Sequence, residues 1–214
     1  MNTLTSSPVA PLLDRLFTEA EATDREVRAK MGSLPAADRD PANYRAFYGH
    51  ARGHFLPVSR ETGRLLYLLT RTARARAVVE FGTSFGISTV HLAAALRDGG
   101  GGRLIGSEFE PSKVSRAREH LALAGLADLV DIREGDALES LSRDLPDAID
   151  LVLLDGAKVL YSRILDLLEP RLAKGALVIA DNIDMCPDYV ARVRDSRAYL
   201  SVPFAEDVEV SMRL

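Results

Sequence analysis

Acidic residues and glycines recur in this chain where short apolar runs end. The first such place is residues 78–88, VVEFGTSFGIS, where an apolar run carries Glu80 and two glycines follow four residues apart. A strand, a glycine turn and a helix in this order form a loop that a ligand can approach closely, and the helix N-terminus offers unpaired N–H groups. An acid beside the loop would repel a polyphosphate. The loop therefore favours a ligand that carries both an ammonium and a carboxylate.

The ends of the next two predicted strands also carry acids. Glu108 follows the run 103–107 and is placed to accept two hydrogen bonds from a ribose. The alternative is a solvated surface acid at a helix start. Asp136, which follows Gly135, is either an acceptor for an exocyclic amine or the N-cap of the next helix.

Oxygen-bearing side chains follow the fourth and fifth predicted strands. Asp155 ends the run 149–154, and Asp181 with Asn182 ends the run 176–180. Hard oxygen ligands of this kind suit Mg²⁺ better than Zn²⁺. The alternative is that each side chain caps a helix or accepts backbone hydrogen bonds.

Two side chains are candidate bases. Lys158 follows Asp155 by three residues and would act as a base if burial or a nearby cation lowered its pKa. It is otherwise a surface lysine paired with Asp155. His54 titrates near neutral pH without special tuning, although a lone histidine is more often structural. Tyr44, Tyr48 and His54 belong to an aromatic-rich segment that either lines an acceptor pocket or forms a helical packing face.

The apolar pattern predicts an α/β fold. Residues 1–73 form an N-terminal helical extension with Leu12, Leu13, Leu16 and Phe17 on one face, and Ser59 caps a further helix. Residues 74–214 form one domain of alternating strands and helices, which indicates parallel strands with helices on both faces. The predicted strands are 77–81, 103–107, 129–132, 149–154, 176–180, 199–203 and 208–212. The predicted helices are 87–97, 111–124, 137–143, 158–172 and 188–194.

Composition excludes several classes of protein. The chain has 214 residues, 47% of them apolar, and a formal net charge of −4, which disfavours nucleic acid as the main partner. One cysteine forms no internal disulfide. The absence of a secretory pattern or a long apolar run predicts a cytoplasmic protein without a membrane partner.

These residues together resemble the class I S-adenosylmethionine-dependent methyltransferases, in particular the small O-methyltransferases of the catechol O-methyltransferase-like group. The resemblance covers about residues 60–214. It implies a Rossmann-like, doubly wound, mostly parallel seven-stranded sheet that ends in an antiparallel hairpin. It also implies S-adenosylmethionine as cofactor, Mg²⁺, a small-molecule acceptor and a homodimer. The chain lacks the tryptophan-bearing segment common in catechol-type members and has no tryptophan at all.

The resemblance implies a role for each motif residue. The cofactor-binding residues would be Glu80, Gly82, Thr83, Ser84, Gly86, Ser88, Glu108, Gly135, Asp136 and Asp155, with Ser88 near the methionyl carboxylate, Glu108 on the ribose and Asp136 by the adenine. The metal ligands would be Asp155, Asp181 and Asn182, and Lys158 matches the catalytic lysine.

The predicted activity is O-methylation of a small, hydroxylated aromatic acceptor with Mg²⁺ assistance. The alternative within this fold is a metal-independent N- or C-methyltransferase acting on an indole-like or other heteroaromatic ring. A nucleotide-dependent oxidoreductase would need a G-x-G-x-x-G loop, whereas this chain has G-x-x-x-G preceded by an acid. A non-catalytic binding protein would not need the full set of strand-end residues.

Overall fold

A computed structural model describes residues 2–32, 34–35 and 43–214, with side chains described outside 24–32. The elements in chain order are α1 Val9–Gly32, α2 Tyr44–His50, α3 Arg60–Thr72, β1 Ala77–Phe81, α4 Ile87–Asp98, β2 Arg103–Glu108, α5 Pro111–Ala124, β3 Val130–Glu134, α6 Ala137–Ser140, β4 Ile149–Leu154, α7 Tyr161–Leu168, β5 Leu172–Asp181, α8 Pro187–Asp195, β6 Tyr199–Phe204 and β7 Val208–Arg213.

The strands form one seven-stranded sheet in the order β3-β2-β1-β4-β5-β7-β6. The first five strands are parallel, and β7 pairs antiparallel with both β5 and β6. This confirms the predicted doubly wound sheet with its C-terminal antiparallel hairpin. The strand order reverses between β1 and β4, where a ligand crevice is expected at the carboxyl ends of the strands.

Alternate residues of the central strands supply two separate cores. Val78, Leu104 and Leu151 face one side, where α1, α3, α4 and α5 pack. Val79, Ile105 and Val152 face the other side, which α7 and α8 cover. This alternation is the period-2 geometry of a strand, and the near-continuous apolar runs result from burial on both faces.

The N-terminal helix α1 belongs to the first of these cores. The apolar stripe predicted from sequence is buried, with Leu12 and Leu13 6% exposed and Leu16 fully buried, and it packs with residues of α4 and α5. The stripe is therefore covered within the chain, so a homodimer contact would need another face. Among the described helices, none is long and apolar enough to cross a bilayer.

The predicted boundaries of three elements after β3 are wrong. The helix predicted at 137–143 ends at Ser140, and the one predicted at 158–172 is a tight turn at 158–160 followed by α7 and a second tight turn at 169–171. Pro170 has no backbone N–H and cannot continue the helical hydrogen bonding. The strand predicted at 176–180 begins at Leu172, because its pairing with β4 contains an irregularity between Ile149 and Leu151.

Ser59 caps α3 as the sequence predicts, and its hydroxyl accepts a hydrogen bond from the Thr62 N–H at 2.9 Å. We expect Ser59→Ala to lower the free energy of unfolding by about 1 kcal/mol, because one backbone N–H loses its partner. Urea denaturation measures this change. Ser115→Ala, at an exposed position inside α5, is the control and should change stability by less than about 0.5 kcal/mol. Equal effects of the two substitutions would contradict the capping role.

Candidate active site

The glycine loop after β1 has a backbone that most residues avoid. Gly82, Ser84 and Gly86 have φ values of 100°, 47° and 87°. The N–H groups of Gly82 and Thr83 both donate to the Ser107 carbonyl at 3.1 Å, which fixes the loop to the end of β2. A Cβ atom on Gly82 would lie 2.5 Å from the Asp155 carbonyl oxygen. Glycine is required at this position by both its φ and the close approach of the β4 loop.

Glu80 is fully buried beneath this loop. Its Oε1 accepts from the Ser88 hydroxyl at 2.6 Å, and its Oε2 accepts from the hydroxyls of Thr89 at 2.6 Å and Thr83 at 3.0 Å. Burial raises the pKa of Glu80 to about 7, even though the three hydroxyl donors oppose the shift. The acid therefore positions the loop and the start of α4.

A cavity of about 420 Å³ opens at the carboxyl ends of β1, β2, β3 and β4. Six of the predicted cofactor-binding residues line it: Gly82, Ser84, Glu108, Gly135, Asp136 and Asp155. Thr83 and Ser88 line a smaller adjoining cavity that reaches Phe55 and Val58. Glu80 and Gly86 line neither cavity. Gly86 is instead the N-cap residue of α4.

Glu108 is not the solvated surface acid of the alternative interpretation, since only 7% of it is exposed. Its Oε2 accepts from the Ser84 N–H at 2.8 Å and its Oε1 from the Glu110 N–H at 3.0 Å. Each carboxylate oxygen keeps acceptor capacity for a further donor in the cavity. This geometry suits a pair of ribose hydroxyls.

Asp136 combines two roles that the sequence leaves open. Its Oδ1 accepts from the Leu138 N–H at 2.9 Å, so it is the N-cap of α6, and it also lines the cavity. Its Oδ2 accepts from the guanidinium of Arg45 and from the Tyr44 hydroxyl at 3.4 Å. These contacts hold α2 against the cavity mouth.

The aromatic residues of α2 lie over the same opening. Tyr44 and Tyr48 both line the cavity, and the Tyr48 hydroxyl donates to the Gly156 carbonyl at 3.4 Å. His54 does not line either cavity. Phe55 stacks on Phe85 with ring centroids 4.3 Å apart, and its carbonyl accepts from Ser84 Oγ at 2.7 Å. With the backbone held there, Leu56 lines the cavity in place of His54.

Lys158 forms a buried ion pair with Asp155, with Nζ 3.0 Å from Oδ1 and each side chain 9% exposed. Nζ also donates to the Tyr161 hydroxyl at 2.8 Å, which in turn donates to the Asp181 carbonyl at 2.8 Å. Burial alone would lower the pKa of Lys158, but Asp155, Tyr48 and Asp181 together raise it. These acidic neighbours favour the ammonium form of Lys158, whereas a general base would need a lowered pKa.

Asp181 and Asn182 do not line the 420 Å³ cavity. The Asp181 side chain interacts with Asp155, whereas the Asn182 amide donates to Asp207 Oδ2 at 3.4 Å. Burial and then the charge of Asp155 raise the pKa of Asp181 to about 8. A hard divalent cation bound by Asp155 and Asp181 would offset the repulsion between the two carboxyl groups. The Asn182 amide would supply a third oxygen ligand. Within the described residues, no group of three or more His, Cys, Asp or Glu side chains is placed to hold a metal ion. The donor set fits Mg²⁺ only with the amide included.

Sequence reasoning missed two cations at the cavity, Arg45 and Lys113. Lys113 lies in the first turn of α5 and is only 5% exposed. The segment that it begins, KVSRARE, is typical of a solvated helical face, so no local pattern marks Lys113 as buried. Arg45 precedes an aromatic run, and only its contact with Asp136 indicates a role.

We expect Gly82→Ala to destabilise the protein by about 2 kcal/mol or more, because a positive φ and a clash with the Asp155 backbone add together. Gly101→Ala is a matched control, since Gly101 also has a φ of 100° but has open space around a Cβ atom. Urea denaturation of both variants separates backbone strain from the clash. Equal losses of unfolding free energy in the two variants would show that the close approach of the loops after β1 and β4 does not require glycine at residue 82.

The raised pKa of Glu80 makes stability depend on pH. The folded protein holds a proton at Glu80 up to pH about 7, whereas the unfolded chain releases it near pH 4.5. The wild type should therefore lose stability relative to Glu80→Gln as pH rises from 4.5 to 7, by at most about 3 kcal/mol. Urea denaturation at several pH values measures this difference. Glu61→Gln, at an exposed position, is the control, and its free energy of unfolding should change with pH as that of the wild type does. The same pH dependence for Glu80→Gln and the wild type would contradict the raised pKa of Glu80.

Comparison with known proteins agrees with this geometry. Residues 79–183 match the model of a methyltransferase domain family. Catechol O-methyltransferase B of Danio rerio is 36% identical over 161 residues, which are 71% of this chain and 60% of that protein. The chain spans less than two thirds of the length of the first curated relatives it matches.

Solved structures show the same fold. A methyltransferase from Geobacter sulfurreducens is 29% identical, with a TM-score of 0.67 over 89% of this chain and 96% of that one. The O-methyltransferase from Bacillus cereus, solved in complex with S-adenosylhomocysteine, is 20% identical with a TM-score of 0.67 over 90% and 97% of the two chains. The sheet order, the loop after β1 and these matches lead to one conclusion: residues 79–183 form a methyltransferase domain, in a chain whose sequence is similar to catechol O-methyltransferases.

Proposed function

We propose that this protein transfers the methyl group of S-adenosylmethionine to an oxygen of a small, hydroxylated aromatic acceptor. One observation carries the proposal: the glycine loop, Glu108, Asp136 and Asp155 line one cavity of about 420 Å³. Its volume lies in the range of pockets that enclose small-molecule ligands. The complex of the Bacillus cereus protein with S-adenosylhomocysteine supports the choice of cofactor.

The lining residues fit the parts of this cofactor in sequence. Because the strands lie in the order β3-β2-β1-β4, Asp136 after β3 would accept from the adenine amine and Glu108 after β2 from the ribose hydroxyls. Asp155 lies at the far end and carries a carboxylate for the cofactor ammonium. The loop carrying Gly82 and Ser84 approaches the methionyl part through its backbone.

The acceptor would approach from the side of Asp155, Lys158 and Asp181. Methyl transfer from a sulfonium is an in-line displacement: the acceptor hydroxyl gives its proton to solvent, its oxygen bonds to the methyl carbon, the carbon–sulfur bond breaks and S-adenosylhomocysteine leaves. The protein mainly holds the acceptor oxygen in line with the methyl carbon and the sulfur. The ammonium of Lys158 favours the ionised form of an acceptor hydroxyl, since a nearby positive charge lowers a hydroxyl pKa. Tyr161 and Asp155 fix the direction of that ammonium. Lys158 would thus stabilise the ionised acceptor oxygen.

Asp155, Asp181 and Asn182 would hold Mg²⁺ in this proposal. A bound divalent cation would chelate two vicinal hydroxyls of the acceptor and lower their pKa. The carboxyl pair supports this assignment, because burial and Asp155 hold the pKa of Asp181 near 8 and a cation would offset their repulsion. Lys158 pairs with Oδ1 of Asp155, and a bound cation would replace the side-chain hydrogen bond between Asp155 and Asp181.

Methyl-transfer assays on catechols, monophenols and indoles, with mass spectrometry of the products, test the proposal. We expect methylated catechols as the main products, at least about tenfold less product in EDTA, and recovery when Mg²⁺ is added. Asp181→Asn should reproduce the loss. Asp184→Asn, at an exposed neighbouring position, should leave the rate unchanged.

A different result would select the alternative function. Activity unaffected by EDTA and by Asp181→Asn would exclude a role for the metal in methyl transfer. Methylation confined to indole-like acceptors would then favour a metal-independent N- or C-methyltransferase. Arg45 and Tyr44 would still close the cofactor cavity in that case, because their contacts with Asp136 do not involve the acceptor side.

A further inference from the structure

Lys113 is a buried cation that the proposed chemistry does not use. It lies in the first turn of α5, is 5% exposed and lines the 420 Å³ cavity. Its Nζ donates to Ser84 Oγ at 3.2 Å and lies 5.4 Å from the centroid of the Phe85 ring. An ammonium has three donor hydrogens, so one hydroxyl and one aromatic face leave it short of partners.

No carboxylate of the described chain lies within 4 Å of the Lys113 ammonium, in contrast to Lys158 with Asp155. Glu108, Glu110 and Asp155 act on it only at longer range, and burial lowers its pKa despite them. Both carboxylate oxygens of Glu108 accept backbone N–H groups. A buried cation without an ion pair is costly, and an anion that enters the cavity would offset that cost.

The position of Ser84 indicates which part of a ligand this anion belongs to. Ser84 lines both the 420 Å³ cavity and the smaller one that reaches Phe55, Val58 and Ser88. Lys113 lines the larger cavity and donates to Ser84, a residue that both cavities share. Ser88, which the sequence resemblance places near the methionyl carboxylate, donates its hydroxyl to Glu80 at 2.6 Å, so that hydrogen is already used.

S-adenosylmethionine carries a sulfonium, an ammonium and a single anionic group, its carboxylate. We propose that the ammonium of Lys113, held by Ser84, binds the methionyl carboxylate of the cofactor. This inference rests on the proposed cofactor. It makes Lys113 a cofactor-binding residue that selects ligands with an intact amino-acid end, while Glu108 remains available for the ribose.

Calorimetric binding of two ligands tests this assignment. S-adenosylhomocysteine keeps the amino-acid end, whereas 5′-methylthioadenosine keeps the adenine, ribose and sulfur but lacks the carboxylate. Lys113→Met should weaken S-adenosylhomocysteine about 10- to 100-fold, the range expected when a charge-assisted hydrogen bond is lost. Binding of 5′-methylthioadenosine should change less than about threefold. Lys174→Met removes an exposed lysine on β5 and should alter neither affinity.

Each other outcome overturns the assignment in a recognisable way. An equal loss of affinity for both ligands would indicate that Lys113 contacts the part they share, such as the ribose. Unchanged affinity for both would show that Lys113 does not bind the ligand. If the wild type failed to bind S-adenosylhomocysteine, the proposed cofactor would fall as well. Lys113→Gln is the second variant should Lys113→Met not fold, with the same two ligands and the same expected difference.

Discussion

The close packing of the β1 and β4 ends is the constraint on which the site depends. A Cβ atom on Gly82 would lie 2.5 Å from the Asp155 carbonyl oxygen, and one on Gly156 would lie 2.4 Å from the Phe81 ring. The Asp155 N–H donates to the Phe81 carbonyl at 2.8 Å, which extends the β1–β4 pairing beyond the strands. The glycine loop and the Asp155 loop thus share one wall of the cavity. Cofactor and acceptor groups can meet there because no side chain separates the two loops.

Buried charge is distributed differently on the two sides of this wall. Glu80 lies behind the glycine loop, where three hydroxyls satisfy it and burial keeps its pKa near 7. Asp155 and Lys158 form an ion pair on the other side, with Asp181 beside them. The first group holds a loop by hydrogen bonds alone, whereas the second holds an ammonium and carboxyl oxygens at the end of β4. The two motif acids therefore differ in their surroundings, because Glu80 accepts from hydroxyls and Asp155 is paired with a cation.

The parts of the structure that depend on local pattern could be predicted from the sequence. Short apolar runs that alternate with helical patterns predict the seven strands. The positions of Glu108 and Asp136 after two of these strands predict that both line the cavity. Contacts between distant segments could not be predicted. Arg45 reaches Asp136 across the fold, and Lys113 is buried only because Ser84 and Phe85 fold over it. His54 lines neither cavity, and the Phe55–Phe85 stack beside it is likewise a contact between distant segments.

The central claim is that the cavity at the β1–β4 switch point binds an S-adenosyl cofactor. Parallel calorimetric titrations of the wild-type protein with S-adenosylhomocysteine and with NADH test it most directly. We predict saturable binding of one S-adenosylhomocysteine per chain and no binding of NADH, because Glu108 and the loop with its buried acid suit a ribose joined to an amino acid. Saturable binding of NADH without binding of S-adenosylhomocysteine would contradict this claim.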